Sequence, residues 1–361
     1  MGFNCGIIGL PNVGKSTLFN ALSGAGAQMA NYPFCTIEPN RGIVPVPDER
    51  LKRIADILGR DNPISTRIEF VDVAGLVQGA SQGEGLGNRF LSHIRTVDAI
   101  VHVVRCFTHE DVVHVTGEVN PVRDIEIVNT ELMLADLEVL SRAEEKIMKL
   151  VRTGDKKAQE RVEVVKKMMS HLDSGKMLKT LSSGSEENEI IREYGLITVK
   201  PVIYCANIDE GPVPEELVDS ISFYAEKEGS ACLYCVGKLE EEISELPEDE
   251  KQEYLEAMGL QESGLDRLIT ASYRLLDLIT YYTSATELQA WTLKQGQHAA
   301  EAAGKIHTDF ERGFIRAEVC SYDDLIACGS EKAVREQGLL RSEGRDYEVK
   351  DGDIIKYLFN V

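Results

Sequence analysis

Eight residues near the start of the chain carry the clearest chemistry: Gly9-Leu10-Pro11-Asn12-Val13-Gly14-Lys15-Ser16, followed by Thr17. Their spacing is G-x-x-x-x-G-K-[ST], and the chemistry is phosphate binding. The two glycines let the backbone turn and approach an anion without a Cβ in the way. Successive backbone N–H groups then point at one phosphate, Lys15 reaches the outer phosphates, and the Ser16 hydroxyl is placed to ligate Mg²⁺. The context is the one this pattern requires. Phe3 to Ile8 reads as a buried strand, and Thr17 to Leu22 reads as the first turns of a helix ended by Gly24. The predicted nucleotide-binding set therefore begins with Asn12, Val13, Gly14, Lys15, Ser16 and Thr17, with Lys15 counted as catalytic as well.

Three more stretches complete a triphosphate site. The run Arg67 to Asp72 is strand-like and ends in Asp72-Val73-Ala74-Gly75. An aspartate at the C-terminal end of a parallel strand holds a metal-bound water, and the Gly75 N–H behind it can bond the γ-phosphate. Position 76 is Leu, where many GTPases place the glutamine that orients the attacking water. Gly79, Gly83, Gly85 and Gly87 mark the next segment as a switch candidate. The loop Asn31 to Gly42 has two prolines and no period; Thr36 is its candidate for completing the metal shell.

The third stretch reads the base. After the strand Pro201 to Ala206 come Asn207-Ile208-Asp209-Glu210, where GTPases of this type carry Asn-Lys-x-Asp. The lysine is missing and the acid in fourth place is one methylene longer, so the paired acceptors for guanine are displaced. Asn207, Glu210 and main-chain groups near Val236 are left to read adenine, with Asp209 the residue that a shift of register would turn into a guanine reader. The loop Arg105 to Val122 holds His109 and His114, each either catalytic or merely exposed on sequence alone.

These residues need an α/β scaffold, and the chain is long enough to supply it with further domains: 361 residues, 43 % hydrophobic and 27 % charged. No leader precedes the first strand and no apolar run reaches about 18 residues, so the expectation is a cytoplasmic protein without a membrane partner. A net charge of −21 excludes indiscriminate attraction to nucleic acid, and DNA sequence recognition is not expected. Eight scattered cysteines read as reduced core residues, the lone Cys232-x-x-Cys235 included. From Asp124 apolar residues recur at helical spacing to about Val151. Gly154-Asp155 breaks the pattern, and a second helix runs from Lys156 to about Leu172. Residues 125–200 hold 13 Lys and Arg against 14 acids, nearly neutral in an acidic chain. Strands resume at Pro201, a helix spans Gly264 to Ile279, and from Tyr281 short strands (Leu288 to Leu293, Phe314 to Cys320, Asp346 to Val349, Ile354 to Val361) form a small α+β module. The predicted division is 1–124 with 201–280, an insertion at 125–200, and a module at 281–361.

The loop Gly9–Thr17, the run Asn31 to Asn40, Asp72 to Val77 and Asn207-x-x-Glu210 together resemble the YchF-type Obg-like ATPases. Ala303-Gly304-Lys305-Ile306-His307-Thr308-Asp309-Phe310 and the ending from Val349 resemble the TGS domain that closes those proteins. The resemblance covers essentially the whole chain. It implies a Ras-like P-loop domain, a helical coiled-coil insertion, a ubiquitin-like TGS domain, and ATP hydrolysed to ADP in preference to GTP. It also implies association with the ribosome, through the large subunit and its RNA. In this family a hydrophobic residue, here Leu76, replaces the catalytic glutamine, and a loop histidine matching His114 is the proposed substitute. An Obg-type GTPase is the alternative, as is a nucleotide-gated binding protein in which hydrolysis only resets the state.

Overall fold

The computed structural model describes residues 2–27, 40–73, 86–108 and 117–360. Thr36, Gly75, Leu76, His109 and His114 lie outside them. In chain order the first strands are β1 (Asn4–Ile8), β2 (Arg41–Pro45), β3 (Arg67–Asp72), β4 (Ala99–Arg105), β5 (Val202–Asn207) and β6 (Ala231–Cys235). After them come β7 (Leu278–Thr283), β8 (Gln289–Lys294), β9 (Phe314–Ser321), β10 (Arg341–Glu343) and β11 (Asp353–Phe359). The helices begin with α1 (Lys15–Ala27), α2 (Glu49–Leu58), α3 (Leu86–Thr96), α4 (Pro121–Val151), α5 (Lys156–Asp173), α6 (Ser185–Glu193) and α7 (Glu215–Lys227). They continue with α8 (Gly237–Glu245), α9 (Glu248–Ala257), α10 (Gly264–Leu275), α11 (Ala299–Ile306), α12 (Thr308–Arg312), α13 (Tyr322–Cys328) and α14 (Glu331–Glu336). Contacts divide the chain into one unit of residues 1–43 with 69–268 and another of 44–68 with 269–361.

The first unit holds a six-stranded sheet in the order β2-β3-β1-β4-β5-β6, with β3, β1, β4, β5 and β6 parallel. Every residue of β4 and β5 is buried, which is why both read as unbroken apolar runs: a parallel strand covered on both faces has no polar side to alternate with. The register pairs Ile8 with His102, Arg105 with Asn207, and Asn207 with Cys235. The C-terminal ends of β1, β4, β5 and β6 therefore meet along one edge of the sheet. There β1, flanked by β3 and β4, marks the topological switch where such folds bind ligands. Helix α1 does not stop at Gly24 but runs to Ala27. It packs on α8, and a Cβ at Gly24 would lie 3.1 Å from Ser244 Oγ, so that glycine allows close helix packing instead of ending the helix.

The insertion begins three residues earlier than its periodicity predicts. Asn120 caps α4 by accepting from Arg123 N at 3.1 Å, and Pro121 takes the first helical position, where its missing N–H costs nothing. Asp155 caps α5, and Gly154 makes the tight turn between them with φ 87°. The hairpin is closed by its own core, in which Leu140 meets Val165, Met168 and Leu172. Its base is fixed to the segment that leads into β5 by Asp136, which is fully buried and accepts from Ile197 N, Thr198 N and Thr198 Oγ1 at 3.1, 2.7 and 2.8 Å. Arg95, in the last turn of α3, donates to Gly195 O at 3.0 Å and stands 3.6 Å from Asp136.

The second unit is built on a five-stranded sheet, β10-β9-β11-β7-β8, in which β11 runs parallel to β7 and the other pairs are antiparallel. Two adjacent tyrosines of β7 show how it is covered. Tyr281 joins the core formed with Ala299, Ala302 and Ala303 of α11; Tyr282 points the other way into a core with Leu51, Ile54 and Ala55 of α2. Asp48 accepts from the Tyr282 hydroxyl, and Arg50 pairs with Asp351 at 2.7 Å. Residues 44–68, predicted to lie with the nucleotide domain, thus pack with the C-terminal module, because α2 supplies the apolar stripe that covers the second face of its sheet. The predicted helix to Ile279 ends at Leu275: Asp277 turns the chain at φ 53°, and β7 follows. Asp346 to Val349 is not a strand either. Its main chain ties to the segment leading into α11, through Ala299 N to Tyr347 O and Val349 N to Gln297 O, and β10 forms at Arg341–Glu343 instead. Among the described residues no helix is long and apolar enough to cross a membrane.

Candidate functional site

The loop between β1 and α1 is shaped by what its glycines must avoid. At Gly9, φ 153°, a Cβ would lie 2.4 Å from Val103 O of β4; at Gly14, φ 92°, it would lie 2.1 Å from Asn207 Nδ2. Both positions need the positive φ and the empty space that glycine alone provides. Asn12 sits at φ 62°, a left-handed conformation that asparagine tolerates. Lys15 is only 8 % exposed, and its ammonium donates to Gly9 O at 3.1 Å and Leu10 O at 2.9 Å. Burial pulls its pKa down, opposed by the charge of Asp72. Asp72, the last residue of β3, has its pKa raised by burial and lowered in turn by Lys15. Its Oδ1 is buried without a hydrogen-bond partner.

At the other end, Asn207 ties three segments together. Its Nδ2 donates to Val13 O at 2.9 Å, its Oδ1 accepts from Gly237 N at 3.0 Å, and its carbonyl accepts from Cys106 N at 2.8 Å. An amide carries two N–H groups, so one remains beyond the Val13 bond. Helix α8, which follows Val236, is held by buried Glu240, whose carboxylate accepts from Gly264 N and Leu265 N at 2.8 and 3.1 Å. Cys235 Sγ stands 3.1 Å from Cys205 Sγ, both buried, while Cys232, three positions back on the strand, is only half-buried. Cys235 and Cys205 are packing residues behind this turn.

A cavity of about 350 Å³ lies between these walls, lined by Asn12, Gly14, Lys15, Ser16, Thr17, Phe107, Asn207, Ile208, Asp209, Val236, Gly237 and Lys238. Of the residues singled out in the sequence, Asn12, Gly14 to Thr17, Asn207 and Val236 meet here; Val13 is buried beneath the loop and holds Asn207. Glu210 is not part of the lining. Asp209 Oδ1 accepts from Glu210 N at 3.1 Å, the chain bends at that point, and Glu210 is left exposed while Asp209 faces the cavity. Thr36, Gly75 and His114 fall outside the described residues.

Phe107, Ile208 and Lys238 also line the cavity, and the residue pattern alone does not single them out. Ile208 is legible there only as an absent lysine, whereas in the fold it is an apolar wall. Phe107 is placed by Arg105, which is 2 % exposed, donates through Nε to Phe107 O at 3.0 Å, and stacks over the ring at 4.4 Å. The signal was a buried arginine closing an apolar strand, two residues before an aromatic.

Chemically, the arrangement can hold a polyphosphate against the N-terminus of α1, whose first turn carries no acid, with a flat apolar group between Phe107 and the Asn207 turn. The donors near the phosphate end are a serine hydroxyl and a carboxylate with an unpartnered buried oxygen. Such hard oxygen ligands fit a divalent cation, which a P-loop NTPase requires.

A family model described as a 50S ribosome-binding GTPase matches residues 4–207, and the YchF-GTPase C-terminal model, described as a protein of unknown function (DUF933), matches 278–360. The ribosome-binding ATPase YchF of Escherichia coli O157:H7 is 50 % identical over the full length of both chains. The chain belongs to the YchF family. The ribosome-binding ATPase YchF of Bacillus subtilis is 49 % identical, again over all of both chains. The solved structure of the Schizosaccharomyces pombe YchF GTPase superposes with a TM-score of 0.89 at 34 % identity, covering 99 % of this chain and 98 % of that one. These relatives are thus named for different nucleotides, ATPase in two and GTPase in the third, which puts the weight on the base-reading end of the cavity.

Proposed function

We propose that the chain is a nucleotide-gated switch that binds and slowly hydrolyses ATP to ADP, with Mg²⁺ as its metal, and that it acts on the ribosome in the cytoplasm in translation or stress regulation. The observation that carries this reading is the cavity itself: a P-loop lysine and helix N-terminus at one end, and at the other an asparagine-anchored turn with Phe107 and Ile208 as apolar walls. A purine lies against these two side chains, Asn207 and the main chain near Val236 read its edge, and Lys15 with the Gly14–Thr17 N–H groups holds the phosphates. Ser16 and Thr36 would hold the metal with Asp72 behind them, the metal would neutralise phosphate charge, and the Gly75 N–H would be the donor for the γ-phosphate. Leu76 cannot orient water, so unassisted turnover is on the order of 10⁻³ to 10⁻² s⁻¹, and His114 positions the nucleophile.

The helical insertion at 125–200 and the TGS module at 281–361 make the ribosomal contacts, on the large subunit and its RNA. Full-length identity to proteins named ribosome-binding ATPase supports the ribosome as the partner. Gradient sedimentation with purified ribosomes under ATP, ADP and no nucleotide tests it: co-sedimentation should differ between ATP and ADP, and identical profiles in all three conditions would sink the gating. An Obg-type GTPase is the second reading, and one observation favours it. Asp209, an acid able to accept from guanine, faces the cavity in place of Glu210.

A further inference from the structure

The outer end of the α4–α5 hairpin inverts the charge of the molecule. In a chain of net charge −21, Lys146, Lys149, Arg152, Lys156 and Lys157 stand within twelve residues that hold one acid, Asp155. All five cations are exposed. Nearer the base of the hairpin several cations have acidic partners: Arg142 with Glu138, Arg161 with Glu193 at 2.7 Å, and Lys167 with Glu187 at 2.7 Å. At the tip none of the five has an ion-pair partner among the described residues. Asp155 does not neutralise them, because its carboxylate is occupied as the α5 cap, accepting from Lys157 N and Ala158 N at 2.9 and 3.2 Å. Glu144 and Glu145 bound the patch on α4, and Glu160 bounds it on α5.

Helix N-termini favour acids in their first turn, yet α5 has none there and begins with two lysines, which adds their charge to the positive end of the helix dipole. Beside them Leu150 is 54 % exposed. Distance matters too. The buried positions of α4 end at Leu140, and the eleven residues to Val151 extend about 17 Å further at 1.5 Å per residue. That exceeds the Debye length of about 8 Å at physiological salt, so the tip can approach a polyanion while the acidic body is screened from it.

We propose that this tip, Lys146 to Lys157, is a contact for the phosphate backbone of structured RNA and supplies most of the salt-dependent part of ribosome binding. The proposal rests on the ribosome-binding reading and names the part of the arm that makes the contact. One exposed leucine among five cations is too little apolar surface to insert into a membrane, and unpaired ammonium and guanidinium groups match phosphates.

The test is full-length protein titrated against purified ribosomes, and separately against protein-free ribosomal RNA, over a salt series. Three forms are compared: the parent, a variant with all five cations changed to Gln, and one with Lys146, Lys149, Lys156 and Lys157 changed to Arg. The Gln variant should bind at least about tenfold more weakly at 150 mM salt, with the slope of log affinity against log salt smaller by about 4.5, five cations at about 0.9 each. The Arg variant should keep parental behaviour. Parental affinity in the Gln variant overturns the tip contact and leaves ribosome binding standing. Weaker binding with an unchanged salt slope marks a protein contact and overturns it as well. Failure of the parent to bind either probe removes the ribosome reading, and the tip proposal with it.

Discussion

Lys15→Ala should weaken ATP binding by at least about 100-fold. The ammonium is held at 8 % exposure with Gly9 O and Leu10 O as acceptors, so the fold has already met the cost of taking it out of water. Charge-assisted bonds contribute about 1.5–3 kcal/mol each, and losing two of them at the β- and γ-phosphates gives the stated factor. Folding should survive, since the loop is also held by Asn207 on Val13 O and by Arg105 on Asn12 O. Calorimetric titration checks the affinity and thermal unfolding checks the fold. An intact variant with near-parental affinity would show that the phosphates are held elsewhere.

His114→Ala should lower single-turnover ATP hydrolysis at least tenfold and leave ATP affinity nearly unchanged. The reason begins with Leu76: a side chain without a donor or acceptor cannot orient the attacking water, so another group has to. A histidine near neutral pH can accept from water, and the family resemblance assigns that role to the residue at 114. An interaction made mainly in the transition state shows in the rate and not in binding. Equal rates in variant and parent would leave His114 as an ordinary loop residue. A parallel loss of affinity would make it a binding group instead.

What the sequence discloses about this protein follows a physical rule. The phosphate loop was legible because each residue type there is demanded by local geometry: no side chain fits where Gly9 meets Val103 O or where Gly14 meets Asn207 Nδ2. The hairpin was legible because two helices with their own core keep a 3.6-residue period over thirty residues. Residues 44–68 were not. The stripe Leu51, Ile54, Ala55 announces that α2 is amphipathic, but not that its partner is a sheet more than two hundred residues away. The base end was half legible. Asn207 is named by its place after a buried strand, while the choice between Asp209 and Glu210 is made by one backbone bend. Phe107 depends on a buried arginine whose neighbours come from two different loops.

That bend also decides which experiment bears hardest on the account. The site is read as an adenine site because the lysine of Asn-Lys-x-Asp is replaced by Ile208 and the acid in fourth place, Glu210, is not part of the cavity lining. Guanine would have to set its N1–H and 2-amino donors against Asp209, one position earlier than the usual acid; out of register with that carboxylate they are left unpaired, at about 1–3 kcal/mol for buried groups. Titration of the full-length chain with ATP and with GTP, in the same Mg²⁺ buffer, measures this difference. ATP should bind about tenfold or more tightly than GTP; equal affinities would rule out adenine selection, and a preference for GTP would assign the base to Asp209.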